Sequence, residues 1–184
     1  LRKKCLKIKT VKNVLDTCGT GGDGKETLNI STATAILTAA CGVNVAKHGN
    51  KSVSSKCGSS DVLSSLGVNI NADRAKVEKC LRDNNICFLM APLYHSAMKN
   101  VANVRGALKI KTIFNILGPL LNPANAERQL IGVYSKDWLM PIAKCLKSLS
   151  IKKAWIVHGL DGLDEITTTD KTIVLEVNKN KIRK

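Results

Sequence analysis

Residues 19–24 read Gly-Thr-Gly-Gly-Asp-Gly and directly follow a short strand candidate, Val14-Leu-Asp-Thr17. Glycines there leave backbone N–H groups open to an anion, and the formal G-x-G-x-x-G spacing raises a dinucleotide site first. That reading needs a helix opening at the third glycine and an acidic residue closing the second strand. Here the helical pattern opens only at Asn29-Ile-Ser-Thr32, and the second strand runs into Ala46-Lys47, so both requirements fail. What remains is a phosphate cradle built from free N–H groups, the positive end of a helix dipole and the hydroxyls of Ser31 and Thr32. A tight turn with ordinary helix caps would use the same residues.

Lys47-His-Gly-Asn-Lys51 tips the balance toward an anionic ligand. In an open α/β sheet, ligands bind beyond the carboxyl ends of the strands, where this loop and the glycine loop would meet. Ser52 to Ser60 adds a donor-rich loop that ends in a helix cap, and Asp164-Glu165 follows a strand ending in His158 and a Gly-rich turn over 159–162. Adjacent carboxylates suit Mg²⁺, which commonly takes one or two of them together with substrate phosphates.

The elements needed to hold these loops alternate between strand and helix, which predicts an α/β fold with a mainly parallel sheet flanked by helices. Strands are expected at 14–17, 43–46, 86–89, 130–133 and 154–157. Helices are expected at 30–41, 59–66, 73–82 and 137–149, with Gly42 and Gly67 as stops and Asp73 as a cap. Apolar spacing between His95 and Leu117 reads as two helices with no strand between them, and 172–184 as the start of a hairpin.

Composition narrows the class. The 184 residues are 44% hydrophobic and 3% aromatic, and 29 Lys and Arg against 14 Asp and Glu leave a net charge of +15. This is a globular composition with no apolar run long enough to span a bilayer, and the opening Leu1-Arg-Lys-Lys-Cys5 is not expected to act as a signal peptide. The positive charge is spread along the chain without the aromatics that stack on bases, so solvated faces are expected in preference to a nucleic-acid surface. Seven cysteines without a C-x-x-C pair, and three scattered histidines, argue against zinc or a disulfide framework and for a reducing cytoplasm.

Taken together, Gly19-Thr-Gly-Gly-Asp23, Asn29-Ile-Ser-Thr32, Lys47-His-Gly-Asn50 with Ser54-Ser55, and Gly58-Ser-Ser-Asp61 carry a resemblance. So do Ala91-Pro92 with His95, Val104-Arg105, Thr112-Ile-Phe-Asn115, Leu117-Gly-Pro-Leu120, Asn122-Pro-Ala124, and His158-Gly159 with Gly162-Leu-Asp-Glu165. Over about residues 14 to 170 the chain resembles the anthranilate phosphoribosyltransferase family of tryptophan biosynthesis. The resemblance implies a nucleoside phosphorylase/phosphoribosyltransferase type of fold. It also implies transfer of the phosphoribosyl group from phosphoribosyl pyrophosphate (PRPP) to anthranilate, with Mg²⁺ as cofactor and a homodimer at full length.

Carried over residue by residue, Gly19, Gly22, Asp23, Thr27, Asn29, Ser31, Thr32, Lys47, Asn50, Ser55 and Ser59 would bind PRPP. Ser31, Asp164 and Glu165 would bind Mg²⁺. Gly19, Asn50, Arg105 and His95 would hold anthranilate, the Arg105 guanidinium matching its carboxylate as a bidentate fork. His48 is the candidate general base, with a loop-anchoring hydrogen-bonder as its alternative role.

Lys51 and Lys111 stand where the family usually has Arg, and Ser96 where it has Pro. Family members also start several helices earlier and run well past residue 184, so 1–184 reads as an incomplete domain. Its 93–118 helical segment is expected to pack with a further N-terminal helical part, leaving Met98, Val101, Val104 and Leu108 exposed without it. Two other functions compete: a pyrimidine nucleoside phosphorylase-like enzyme, and a basic, non-catalytic nucleic-acid-binding relative.

Overall fold

The computed structural model describes residues 1–51, 57–108, 110, 112–179 and 181–184, without the side chains of 102, 105, 106 and 108. Seven strands form one sheet in the order β3-β2-β1-β4-β5-β6-β7. They are β1 (Leu15–Asp16), β2 (Val45–Gly49), β3 (Ile86–Met90), β4 (Arg128–Gly132), β5 (Lys153–Gly159), β6 (Thr172–Asn178) and β7 (Lys181–Arg183). β1 to β5 pair in parallel, and β6 and β7 add an antiparallel hairpin at one edge. The chain moves outward from β1 through β2 to β3, then returns to place β4 on the other side of β1. The order therefore reverses between β1 and β4, which is where open α/β sheets open a crevice.

Helix α1 (Ile30–Ala40) buries Thr32, Ala35 and Ala39 and is small-sided enough to lie close on β2. Gly42, at φ +85°, takes the left-handed conformation that ends it. The Asp73 carboxylate caps α3 (Arg74–Asn84) by accepting the Lys76 N–H at 2.9 Å, and α2 (Ser59–Ser65) opens with the Gly58 N–H donating to Asp61 at 2.8 Å. After β3 the chain forms α4 (Ala91–Tyr94), α5 (Lys99–Leu108), α6 (Phe114–Leu117) and later α7 (Leu139–Ser148). Leu139, Ile142, Ala143 and Leu146 give α7 one apolar stripe, which packs on Ile131, Ile156, Leu175 and Val177 of the sheet. A second core joins Val14, Ala46, Leu89, Val77 and Leu81 on the other side of the switch.

The two helices expected between 95 and 117 are broken into shorter pieces. His95 leaves helical geometry at φ −120° and ψ 62°, and a 3₁₀ turn over Ser96–Met98 joins α4 to α5. Val104 is 59% exposed, as are Leu93, Ile110 and Ile113 to a similar degree, whereas Met98 and Val101 are half-buried. The side chain of Leu108 lies outside the described residues.

Candidate active site

β1 ends on Asp16, which is fully buried. Its Oδ1 accepts the N–H groups of Cys18 and His48, each at 3.1 Å, and its Oδ2 accepts Asn122 Nδ2 at 2.7 Å. The same Asn122 nitrogen donates to the Ala46 carbonyl at 2.8 Å, while Asn122 Oδ1 accepts the Ala124 N–H at 2.7 Å. One carboxylate and one amide thus fasten the ends of β1 and β2 to the Asn122-Pro123 turn. Burial pushes the Asp16 carboxyl up to about 6, and the Asn122 amide, Lys47 and the two backbone donors pull in the opposite direction.

Lys47 extends from β2 with only 3% of its surface exposed, and its ammonium donates to Ser31 Oγ at 3.0 Å and Thr17 Oγ1 at 3.3 Å. Burial lowers its pKa, against the charges of Cys18, Asp16 and Glu165, which raise it. In the glycine loop, Gly21, Gly22 and Gly24 take φ values of +64°, +82° and +73°, which side chains rarely adopt. The loop is tied to β4 by Thr20 N–H and Oγ1 donating to the Gly132 carbonyl at 2.9 and 3.3 Å. Asn29 stands just before α1, its side chain bonded away from the helix N–H groups: Oδ1 accepts the Thr32 hydroxyl at 2.5 Å and Nδ2 donates to the Cys57 carbonyl at 3.4 Å.

Asp164 and Glu165 come in from the loop after β5. The Asp164 N–H donates to Asp23 Oδ2 at 3.3 Å, which draws the acidic loop against the glycine loop. Both carboxyls are half-buried and pushed well above the carboxylate range. Burial is the main cause for each; after it comes the charge of Asp23 for Asp164, and that of Asp164 for Glu165. The Ser31 N–H supports Glu165 in its ionised form, as does Lys47. Hard oxygen donors that repel one another beside the glycine loop fit a divalent cation such as Mg²⁺, because a positive charge there offsets the burial and repulsion that raise them.

His48 is 3% exposed and has both ring nitrogens engaged, Nδ1 with the Gly118 carbonyl at 3.1 Å and Nε2 with His95 Nε2 at 3.2 Å. A ring that donates from Nδ1 to a carbonyl must accept at Nε2, so its basic lone pair is taken by the His95 N–H. Burial, followed by the His95 charge, drops its pKa to about 3. This is the geometry of a loop anchor. Among the described residues, ligand atoms of Asp16, Cys18 and His48 lie within 4.8 Å of one another, but Asp16 and His48 are already committed to the bonds above.

Asp16 and His48 pull stability in opposite directions with pH. The folded pKa of Asp16 lies above its ordinary 3.8, so its contribution is complete below pH 4 and is lost as pH rises through about 6. The folded pKa of His48 lies below its ordinary 6.5, so its contribution is complete above pH 6.5 and is lost as pH falls toward about 3. Asp16→Asn removes the opposing slope. Urea unfolding between pH 4.5 and 6 should show the slope of stability against pH shifted in the positive direction in the variant relative to the parent, by about 1 kcal/mol per pH unit. Equal slopes would mean that Asp16 is not held protonated by burial.

The structure brings Gly19, Gly22, Asp23, Asn29, Ser31, Thr32, Lys47, His48, Asp164 and Glu165 to the carboxyl ends of β1, β2 and β5. Thr27 and Asn50 are exposed beside them, and Ser59 Oγ reaches the Asn50 carbonyl at 3.4 Å. His95 joins through His48. Ser55 lies outside the described residues; Arg105 is on α5, but its side chain is not described. Sequence reasoning assigned no role to Asp16, Thr17, Asn122 or Gly132. Only Asn122 carried a signal, as part of the Asn-Pro break, since Asp16 and Asn122 are 106 positions apart.

The glycosyl transferase family, a/b domain, matches residues 6–184. The anthranilate phosphoribosyltransferase of Clostridium kluyveri is 57% identical over 179 residues, covering 97% of this chain and 53% of the relative. The crystal structure of anthranilate phosphoribosyltransferase from Thermus thermophilus superposes with a TM-score of 0.90 at 42% identity, over 97% of this chain and 54% of that one. The Saccharomyces cerevisiae enzyme in complex with PRPP and Mg gives 0.86 at 34% identity, over 96% and 52%. The chain spans about half the length of these relatives.

Proposed function

The chain belongs to the glycosyl transferase family through its a/b domain, and from that premise we propose that the full-length protein transfers the phosphoribosyl group of PRPP to anthranilate, releasing pyrophosphate. The observation that carries this reading is the meeting, at the β1/β4 switch, of a glycine loop, a buried lysine on the Ser31 hydroxyl and a half-buried acidic pair. A diphosphate with a bound cation satisfies all three at once. The relatives named for this activity, and the yeast enzyme with PRPP and Mg, support the same substrates.

In this reading Ser31, Asp164 and Glu165 hold Mg²⁺, which when bound neutralises charge on the departing pyrophosphate. Lys47 supplies a fixed positive charge beside Ser31, and the glycine-loop N–H groups donate to the phosphate oxygens without reorganising. Loss of pyrophosphate leaves a cationic ribose that an aromatic amine can attack directly, the N–H proton it then sheds passing to the departing pyrophosphate or to water. Positioning and charge stabilisation therefore carry the rate, and His48 serves to hold the loop. Gly19, Asn50, Arg105 and His95 are assigned to anthranilate by family likeness, and the exposed apolar side chains of 93–118 suit a segment of a small helical domain. The same reading makes the full-length protein a cytoplasmic homodimer without nucleic-acid or membrane partners. No helix among the described residues is long and apolar enough to cross a membrane.

Calorimetric titration of PRPP with and without Mg²⁺ tests the site, followed by anthranilate turnover. The expected result is PRPP affinity at least about tenfold higher with Mg²⁺. Oligonucleotide binding with a steep salt dependence, and no PRPP affinity, would overturn the proposal.

A further inference from the structure

β4 ends on Gly132, directly across the switch from the glycine loop. Its carbonyl receives both donors of Thr20, and the Tyr134 N–H closes on the Thr20 hydroxyl at 3.2 Å. On its other side, the backbone of Asp164 occupies the place where a side chain would stand. A methyl group on Gly132 would fall 1.5 Å from the Asp164 carbonyl oxygen, 2.6 Å from its carbonyl carbon and 3.4 Å from the Glu165 nitrogen. Non-bonded atoms settle at about 3.5 Å, so any side chain here drives the acidic loop outward by roughly 2 Å. Gly21, by contrast, has open space where its side chain would stand and is required for its backbone conformation.

The acidic loop has little freedom to absorb such a push. The Asp161 carboxylate accepts the Thr167 hydroxyl at 2.5 Å, the Thr169 hydroxyl at 2.6 Å and the Leu163 N–H at 3.1 Å, which knots the loop on both sides of Asp164-Glu165. A knotted loop resting on a bare glycine has its depth set by that contact. We infer that Gly132 is a positioning residue: its missing side chain fixes how closely Asp164 and Glu165 approach the glycine loop, and so sets the cation-dependent grip on a diphosphate. The inference rests on the PRPP reading above.

The test compares PRPP affinity with and without Mg²⁺, by calorimetry on the full-length protein, for the parent, Gly132→Ala and Thr167→Val. Far-ultraviolet circular dichroism and urea midpoints report folding independently. The Mg²⁺ enhancement should fall by about tenfold, to little or none, in Gly132→Ala, and less in Thr167→Val, which loosens the knot without adding bulk. A purely structural glycine would lower the urea midpoint and leave the enhancement intact. Parental enhancement in folded Gly132→Ala overturns the inference, and if that variant does not fold, parental enhancement in Thr167→Val does. A parent lacking any Mg²⁺ enhancement refutes the PRPP reading itself, and the inference falls with it.

Discussion

Replacing Asp164 with Asn and Glu165 with Gln together should abolish Mg²⁺-dependent PRPP binding and cut turnover by at least about 10³-fold, while making the metal-free protein more stable. The two effects have opposite signs for one physical reason. Each carboxyl is pushed above its ordinary value by burial and by neighbouring negative charge. Its favourable contribution is therefore complete below pH 4 and is lost as pH rises through the elevated folded value. Neutral isosteres remove that loss, so at pH 8 without Mg²⁺ the double variant should exceed the parent by about 1–2 kcal/mol, allowing for the solvent that still reaches these groups. At pH 4 the two proteins should converge. Mg²⁺ should raise the melting temperature of the parent and leave that of the variant unmoved. A variant less stable than the parent at pH 8 would show that the acidic pair is held by protein contacts and needs no cation.

The parts of this site that were legible in the sequence are local. Glycine repeats, Asn29 ahead of a helix, Asp73 three residues before the N–H it caps, and two adjacent acids each announce themselves within a few positions, because turns and caps are short-range devices. The alternation of strands and helices was legible for the same reason, including a helix over 137–149 where α7 stands. What stayed hidden depends on distant partners. Asp16 looks like one more polar residue at a strand end until Asn122, 106 positions further along the chain, donates to it. Gly132 is ordinary inside Leu-Ile-Gly-Val until the backbone of Asp164 is laid against it. The two-residue length of β1 (Leu15–Asp16) was also unreadable, because strand ends are set by pairing with neighbours distant in sequence. The 95–117 stretch reads as a pair of regular helices, since nothing local signals that the His95 ring is tied to His48.

Lys47→Met offers the sharpest separation between charge and packing at the site. Methionine keeps most of the stem volume and removes the ammonium, so Ser31 Oγ and Thr17 Oγ1 lose a donor while Asp16 and Glu165 lose the positive charge that favours their ionised forms. Taking one partner from a buried charged set typically costs about 3–5 kcal/mol, because the remaining charge is uncompensated. Asp16 has an escape through protonation. Its carboxyl, already at about 6, should climb further without Lys47, so the variant should recover stability as pH is lowered from 8 toward 5. Turnover should not recover with it, since the positive charge beside Ser31 is gone at every pH; a loss of about 10²- to 10³-fold is expected across the range. Urea unfolding and PRPP turnover at pH 5.5, 7 and 8 would resolve the two. Activity returning in step with stability would make Lys47 a packing residue, whereas stability that recovers alone assigns its charge to the phosphate site.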